Sequence, residues 1–521
     1  MRALAERNLS PMFGRIKSAA SDRLFSEYRW VAWVFAAYFC VQAAIRISIS
    51  SSVRIDEAQQ FVVAQWLAWG YDAQPPLYNW LQYGVFEIFG TSVASLAILK
   101  NLLLFLVYLA YHRLARQLLI DRRLAALATL SLLTMPQMFW QAQRDLTHTV
   151  GTLLAISLFI YFVVQTIRKP TSASYAMIGL WAGLGMLTKY NFSLIIVSVF
   201  AAVLCHPDGV KRLLDRRFLL ASAIAILVFL PHALWMISNI NQVLASTVAT
   251  MSERGEGGKL SDIANGVVEL ITTSVAIAAP TTLIFLLTFR RSFLRSLRAR
   301  SQWSDFITII FLSTAVILLA LMVITTLTEF RDRWLLPFLF LLPLYFCLKL
   351  EAAGEPSPSD LKRSFYLPLA MMIALPIVMA GGVLLPKLFI KTYEHLNTPY
   401  ASFVNTVAPA GGKRPVAVVT TAWLKAGNIR VNMPDTAVIS TEYPGSDLSR
   451  QAIGSGPVLL VWNERDGRQS AMPPALIEWL TAKFGGTVEL PAQNDVALPY
   501  YYGKDPDRYH FGYAWFYPKA G

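Results

Sequence analysis

The sequence predicts a polytopic α-helical membrane protein with an external amphipathic loop and a small C-terminal α/β domain, and three observations carry that expectation. Of the 521 residues, 55% are hydrophobic and only 15% are charged, more apolar side chain than a soluble domain can cover without exposing large patches. Unbroken apolar windows recur, for example at 95–111, 218–238, 306–327 and 365–386, each long enough to cross roughly 30 Å of hydrocarbon as a helix. From Lys387 onward this character is lost, and charged and turn residues return.

Apolar runs separated by basic loops predict about eleven transmembrane helices, at 30–48, 95–111, 124–140, 148–166, 175–188, 191–205, 218–238, 265–289, 306–327, 335–349 and 365–386. The runs at 175–188 and 191–205 are nearly continuous, so one long or broken helix is the alternative there. The loops at 112–123, 167–174, 206–217, 290–305 and 349–363 are rich in Arg and Lys; the fourth holds Arg290, Arg291, Arg295, Arg298 and Arg300. Cytoplasmic placement of these loops satisfies the positive-inside bias and puts every alternate loop outside. Residues 1–29 carry Arg2, Arg7, Arg15, Lys17, Arg23 and Arg29 without a cleavage pattern and read as a cytoplasmic tail. Residues 30–386 form the transmembrane domain, with an external loop at 49–94, and 387–521 an extracytoplasmic domain. In that last part Val416–Thr420, Thr436–Ser440, Val458–Trp462 and Thr487–Leu490 have strand length, and Ala475–Phe484 reads as a helix.

The net charge of +14 lies in short loops between spans and does not indicate nucleic acid. Cys40, Cys205 and Cys347 sit in or beside apolar runs, with no spacing for a metal or a disulfide framework. The expected partner at this level is lipid.

Polar residues gather in four external segments. RIDEAQQF places Asp56 and Glu57 just past the first span. The stretch from Asp56 to Gly70 reads as an interfacial helix, with Val62, Trp66 and Trp69 on one face. Asp56 there is either a helix N-cap or a carboxylate base at the water–lipid boundary. AQPPLYNWLQY at 73–83 supplies Gln74, Tyr78 and Trp80, aromatic anchors or a platform for a sugar ring. QAQRDLTHTV at 141–150 carries Arg144, Asp145 and His148. Arg144 and Asp145 can neutralise each other. Asp145 and His148, one turn apart, are too few to assign a metal, and the spacing leaves a divalent ion open. TEFRDRWLLP at 328–337, with Lys189 in LTKYNF, puts Arg331 and Arg333 on the external side, against the charge bias; their partner is either Glu329 and Asp332 or a lipid phosphate.

In this order, Asp56-Glu57, Gln74-Pro-Pro-Leu-Tyr78, Arg144-Asp145, Gly183-Leu-Gly-Met-Leu-Thr-Lys189 and Arg331-Asp-Arg-Trp-Leu-Leu-Pro337 resemble the polyprenyl-phosphate-sugar-dependent transferases of the C-type membrane fold: the protein mannosyltransferases and the bacterial lipid A aminoarabinose and galacturonic acid transferases. The likeness covers roughly residues 30–340. The C-terminal domain also resembles the external domain of the aminoarabinose branch. The resemblance implies Asp56 as the base, with Glu57 beside it, and Asp145 as the second acid. It implies Lys189, Arg331 and Arg333 at the donor phosphate. Gln74, Tyr78, Trp80 and His148 are the candidates for contact with sugar or acceptor. The aminoarabinose enzymes have an acidic–Lys pair where this chain has Ala73-Gln74, which points to a neutral or acidic donor sugar instead.

The reading is therefore an inverting glycosyltransferase of the bacterial inner membrane that uses a polyprenyl-phosphate-linked sugar and a glycolipid, lipopolysaccharide or protein acceptor. A protein O-mannosyltransferase is the runner-up within the class. A transporter is the alternative outside it, but that would need ionisable residues along a mid-membrane path.

Overall fold

The computed structural model describes residues 29–71, 74–241, 243, 259–325, 330–354, 356–388, 392–410, 414–443, 456–462, 471–485 and 489–518. All of the N-terminal tail except Arg29 lies outside them, as do Ala73 and Glu329.

Eight described helices are long and apolar enough to cross a membrane: Trp30–Ile49, Val93–Leu118, Thr147–Arg168, Arg217–Ser238, Ser261–Phe289, Gln302–Ile324, Asp332–Ala352 and Pro358–Leu384. The other three expected spans fall on shorter elements. Pro136 follows the helix Arg122–Leu130, and the chain continues as a 3₁₀ turn, Ser131–Thr134, and a π-helical turn, Gln137–Gln141. Ser172–Met186 and Phe192–Cys205 are separate helices, and the break between them carries Lys189. Ser172–Met186 lies flush on Arg217–Ser238: a Cβ at Gly179 would stand 2.2 Å from the Ala221 carbonyl oxygen, the close approach that small residues permit between membrane helices.

The C-terminal part is a five-stranded sheet of β1 (Ala417–Thr420), β2 (Ala437–Ser440), β3 (Val458–Trp462), β4 (Gln493–Pro499) and β5 (Arg508–Phe516), in the order β2-β1-β3-β5-β4. β1 pairs in parallel with β2 and β3; β5 runs antiparallel to β3 and β4. β1 to β3 are the expected strands, buried and β-branched. The expected strand Thr487–Leu490 falls partly outside the described residues, and Glu489 and Leu490 have no strand pairing. β4 and β5 escape the sequence reading because Asn494, Asp495, Pro499 and Gly512 interrupt the apolar pattern.

The interfacial helix is shorter than expected. It runs from Ile55 to Val63 and ends because Gln65 turns toward the sheet, where its amide both donates to and accepts from the Val438 backbone at 2.9 Å. Trp66 then stacks on Tyr443, and Trp69 meets Trp80 edge-on. Trp66 thus packs against the sheet domain while Trp69 stays exposed beside Trp80, so the two indoles do not form one stripe on a single helix. The helix itself lies on Trp423–Asn432, the crossover between β1 and β2. Contact is so close that a Cβ at Gly427 would fall 2.2 Å from the Ala58 carbonyl oxygen. Val62 accordingly belongs to the apolar core that contains Phe403, Val418 and Ile429.

Gly427→Val should therefore lift the interfacial helix off its seat. We expect a destabilisation of about 1–3 kcal/mol, typical of overpacking, measured by thermal unfolding in detergent, with transfer activity falling in parallel.

Candidate active site

The site begins at the end of the first span. The Arg46 guanidinium donates from Nε to Glu57 Oε1 at 2.9 Å and from Nη2 to Glu57 Oε2 at 2.8 Å. It also holds the carbonyls of Ser50 and Ser52. Glu57 Oε2 accepts from the Arg54 backbone N–H at 2.9 Å as well. Glu57, 1% exposed, is thus the acid that closes the helix start, and Arg54 occupies the N-cap position. Burial by itself would raise the Glu57 pKa; the charge and hydrogen bonds of Arg46, with help from Arg54 and Lys100, hold it down at about 2. Expected as a catalytic neighbour of Asp56, Glu57 is turned away from the cavity and serves the fold.

Asp56, one residue earlier, is neither N-cap nor ion-paired in this turn. Its Oδ2 accepts from the Leu146 backbone N–H at 2.9 Å. That amide is aimed by an unusual conformation: Leu146 has φ 63°, ψ 32°, a left-handed geometry that costs a bulky residue roughly 1–2 kcal/mol. Strain of this kind collects where a backbone group must point in one direction. Asp145 precedes it, and Lys100 Nζ reaches the Asp145 carbonyl at 2.6 Å. Burial, then the charge of Asp56, raise the Asp145 pKa, opposed by Lys100, Arg144 and Arg54.

Arg144 does not neutralise Asp145. Its Nη1 lies 3.4 Å from Glu394 Oε1, and its guanidinium stands over Trp140. Nor is Asp332 committed to its arginine neighbours: Oδ2 accepts from Gln141 Nε2 at 2.5 Å and Gln137 Nε2 at 3.4 Å, and Oδ1 from the Arg333 backbone N–H at 2.7 Å. The π-helical turn puts both glutamine amides on this carboxylate, and such turns are frequent at functional sites.

These segments enclose a cavity of about 820 Å³ lined by Asp56, Asp145, Gln137, Gln141, Arg331, Asp332 and Arg333, with Glu269, Thr272 and Thr273 from the Lys259–Phe289 helix. Lys189 stands behind its basic wall, with Nζ 3.5 Å from the Arg333 carbonyl oxygen. Its pKa is lowered to about 8 by burial and then by Arg333, with Asp56 pulling the other way. Of the residues expected at the site, Asp56, Asp145, Arg331 and Arg333 line the cavity and Lys189 adjoins it. Tyr78 and His148 do not line the cavity; they are buried beside one another, ring centroids 5.8 Å apart, and the Tyr78 hydroxyl and His148 Nδ1 make no hydrogen bond among the described residues. Trp80 donates to the Ala68 carbonyl and Gln74 is exposed; neither lines the cavity. Among the described residues no group of three or more His, Cys, Asp or Glu is placed to hold a metal ion.

The sequence reading missed Gln137, Gln141 and Glu269. Gln137 and Glu269 sit on stretches read as spans, and Gln141 opens the external segment 141–150; the signal was clearest at Glu269, the one acid of the 265–289 run, since an acid inside a span is by default functional.

The chain is 39% identical to the lipopolysaccharide core galacturonosyltransferase RgtB of Rhizobium johnstonii, over 94% of this chain and 98% of that protein. The chain belongs to the lipopolysaccharide core galacturonosyltransferase family. The second such enzyme of that organism, RgtA, is 36% identical over 96% of this chain and 99% of its own length. Residues 73–235 match the family described as dolichyl-phosphate-mannose-protein mannosyltransferase. ArnT from Cupriavidus metallidurans, solved bound to undecaprenyl phosphate, superposes with a TM-score of 0.57 at 12% identity, over 93% of this chain and 98% of that one. This likeness is one of fold, and it is the C-type membrane fold expected from the sequence. The chain is a multi-pass membrane glycosyltransferase.

For this member of the family, the Arg46–Glu57 pair sets the stability of the turn that carries Asp56. Because the Glu57 pKa is depressed, its contribution is fully present above the ordinary glutamate range and is lost as pH falls toward about 2. Glu57→Gln should cost about 3 kcal/mol by stranding the Arg46 charge. The measurement is thermal unfolding in detergent, and the loss should appear in folded yield before it appears in turnover per folded molecule.

Proposed function

We propose that the chain transfers a uronosyl residue, galacturonic acid by the names of its relatives, from a polyprenyl phosphate to a sugar of the lipopolysaccharide core. The transfer would take place on the extracytoplasmic face of a bacterial inner membrane, with the N-terminus cytoplasmic and the sheet domain outside. The observation that carries this reading is one cavity lined by both carboxylates and arginines, in a chain alike to a galacturonosyltransferase over 94% of its length. The expectation drawn from Ala73-Gln74, a neutral or acidic donor sugar, leaves room for such an acidic one.

The chemistry follows from the two kinds of group that line the cavity. An acceptor hydroxyl attacks the anomeric carbon, and its proton passes to the Asp56 carboxylate. The bond from the anomeric carbon to the phosphate oxygen breaks, and the polyprenyl phosphate leaves with the electron pair. Its growing negative charge is met by Arg331 and Arg333, with Lys189 behind them. One base facing one leaving group gives a single displacement with inversion. Asp145, raised in pKa, holds a proton more readily than an ordinary aspartate and is suited to hydrogen-bond the sugar or acceptor. Tyr78 and His148, with unused polar atoms beside Asp56 and Lys189, are candidates for the sugar hydroxyls.

Asp56→Asn separates the base from any structural role, because an amide oxygen still accepts from the Leu146 N–H. The expected loss of turnover is about 10²-fold or more with normal folded yield, scored with undecaprenyl-phosphate-linked galacturonic acid and purified core lipopolysaccharide; near-normal transfer would remove Asp56 from the mechanism.

Lys189 gives the pH test. With its pKa lowered to about 8, the side chain is a cation below that pH and loses its charge above it. The value of kcat/KM for the donor, which reports groups of the free enzyme, should therefore fall as pH rises through about 8. Lys189→Arg keeps its charge and should flatten that limb; an unchanged limb would show that Lys189 does not meet the phosphate.

A further inference from the structure

Glu394 precedes the first helix of the sheet domain, far in sequence from either acid of the cavity, yet its carboxylate spans the gap between them. Oε2 is 2.9 Å from Arg54 Nη2, and Oε1 is 3.4 Å from Arg144 Nη1. Arg54 stands two residues before Asp56, and Arg144 one residue before Asp145. The Arg54 end of this ion bridge is dry, with the side chains of Arg54 and Glu394 4% and 9% exposed, and the Arg144 end is half-buried at 26%. Arg54 Nε and Nη1 make no hydrogen bond among the described residues, so Glu394 supplies the side-chain partner of that buried guanidinium. Glu394 is itself fixed. Its N–H donates to Asn397 Oδ1, and the Asn397 amide donates to the carbonyls of Val383 and Tyr501. Further along, the carbonyls of Leu396 and Thr398 accept from the hydroxyls of Ser50 and Ser52 at 2.6 Å.

We propose that Glu394 is a positioning residue for the transfer: by gripping Arg54 with one oxygen and Arg144 with the other, it sets the separation of Asp56 and Asp145 and ties it to the sheet domain. This rests on the reading of those two acids as the active site.

The bridge also balances charge. Arg46, Arg54, Lys100 and Arg144 stand with Asp56, Glu57, Asp145 and Glu394 in one cluster beneath the cavity. Asp145 is faced by Asp56 from the interfacial helix, Lys100 from Val93–Leu118, Arg54 and Arg144 from the bridge, and Glu269, Arg331, Asp332 and Arg333 around the cavity. Removing the Glu394 charge leaves Arg54 and Arg144 free to attract Asp145. The Asp145 carboxyl then gives up its proton at lower pH, and the geometry loosens.

Glu394→Gln should lower kcat about ten-fold, in keeping with the cost of a small misplacement, while donor KM stays within about 2-fold. The acid limb of the kcat profile should shift to lower pH. Glu394→Asp keeps the charge but reaches less far, so it should give an intermediate kcat with the limb in place. Asp507→Asn is the structural control. It loosens the same segment on its outer side, where Asp507 accepts from Lys387 and Tyr393, and should leave kcat and the pH limb unchanged.

The proposal fails if folded Glu394→Gln has the wild-type kcat and pH limb, or if Asp507→Asn loses as much turnover. If Glu394→Gln does not accumulate, Glu394→Asp carries the test: reduced kcat supports the proposal and wild-type kcat overturns it. An Asp56→Asn arm keeps the two ideas apart. Full turnover there would mean that the site is misassigned, whereas a dead Asp56→Asn beside a normal Glu394→Gln would dispose of the bridge alone.

Discussion

The segment that carries Asp56, the proposed base, needs a rigid backbone, and the Arg46 guanidinium supplies it. It holds both oxygens of Glu57 and two carbonyls of the turn between them, so the chain leaves the membrane and starts the next helix in one fixed arc. A buried ion pair of this quality contributes little net stability over an apolar alternative, yet breaking it is costly. Its value is conformational: it removes the freedom that would let Asp56 swing between water and protein. The remainder of the site is built outward from this arc. Ser50, Ser52 and Val53 bond to Leu396, Thr398 and Asn428, so the sheet domain is the seat of the base-bearing segment.

That dependence explains what was legible in the sequence. Asp56, Asp145, Arg331 and Arg333 stood out because each is charged and lies just beyond an apolar run, where desolvation makes an idle charge expensive. Lys189 stood out in the same way, between two short spans. What could not be read were directions. Asp56 and Glu57 are neighbours and chemically alike, and a helix turns them about 100° apart; which one faces the cavity depends on where Arg46 reaches. Trp80 looked like a sugar platform because aromatic rings serve both recognition and packing, and its N–H turned out to be used by the Ala68 carbonyl. Gln137 and Gln141 were invisible for a different reason. Gln137 lies inside a stretch read as a regular helix and Gln141 just past its end, and only the π-helical turn after Pro136 brings both onto Asp332. Glu394 carried no local signal at all, since its partners are more than 200 residues away in the chain.

The fold class was legible because hydropathy and loop charge are sums over many residues, and no single misread position can undo them. The two missed strands are the opposite case. β5 holds its place by pairing with both β3 and β4, so long-range pairing compensates for Gly512 and for the polar residues of β4. Strand propensity is weak evidence wherever neighbours supply the stabilisation.

The remaining question is how one cavity holds a carboxylate base and guanidinium groups without one cancelling the other. Coulomb attraction alone would draw Arg331 and Arg333 onto Asp56, leaving neither free for substrate. Two arrangements oppose this. Asp56 is fixed by an amide N–H, which orients one oxygen without bringing in a cation, and the strained Leu146 backbone keeps that amide in place. Across the cavity, Asp332 lies between the two arginines in sequence and is the obvious carboxylate to neutralise them, but Gln137 and Gln141 occupy one of its oxygens and the Arg333 N–H the other. The glutamines bring no charge of their own. They hold the Asp332 carboxylate beside the cavity, and the Arg331 guanidinium stands over the Trp334 ring. In the proposed transfer a donor phosphate meets the arginines and an acceptor hydroxyl meets Asp56, with the anomeric carbon between them.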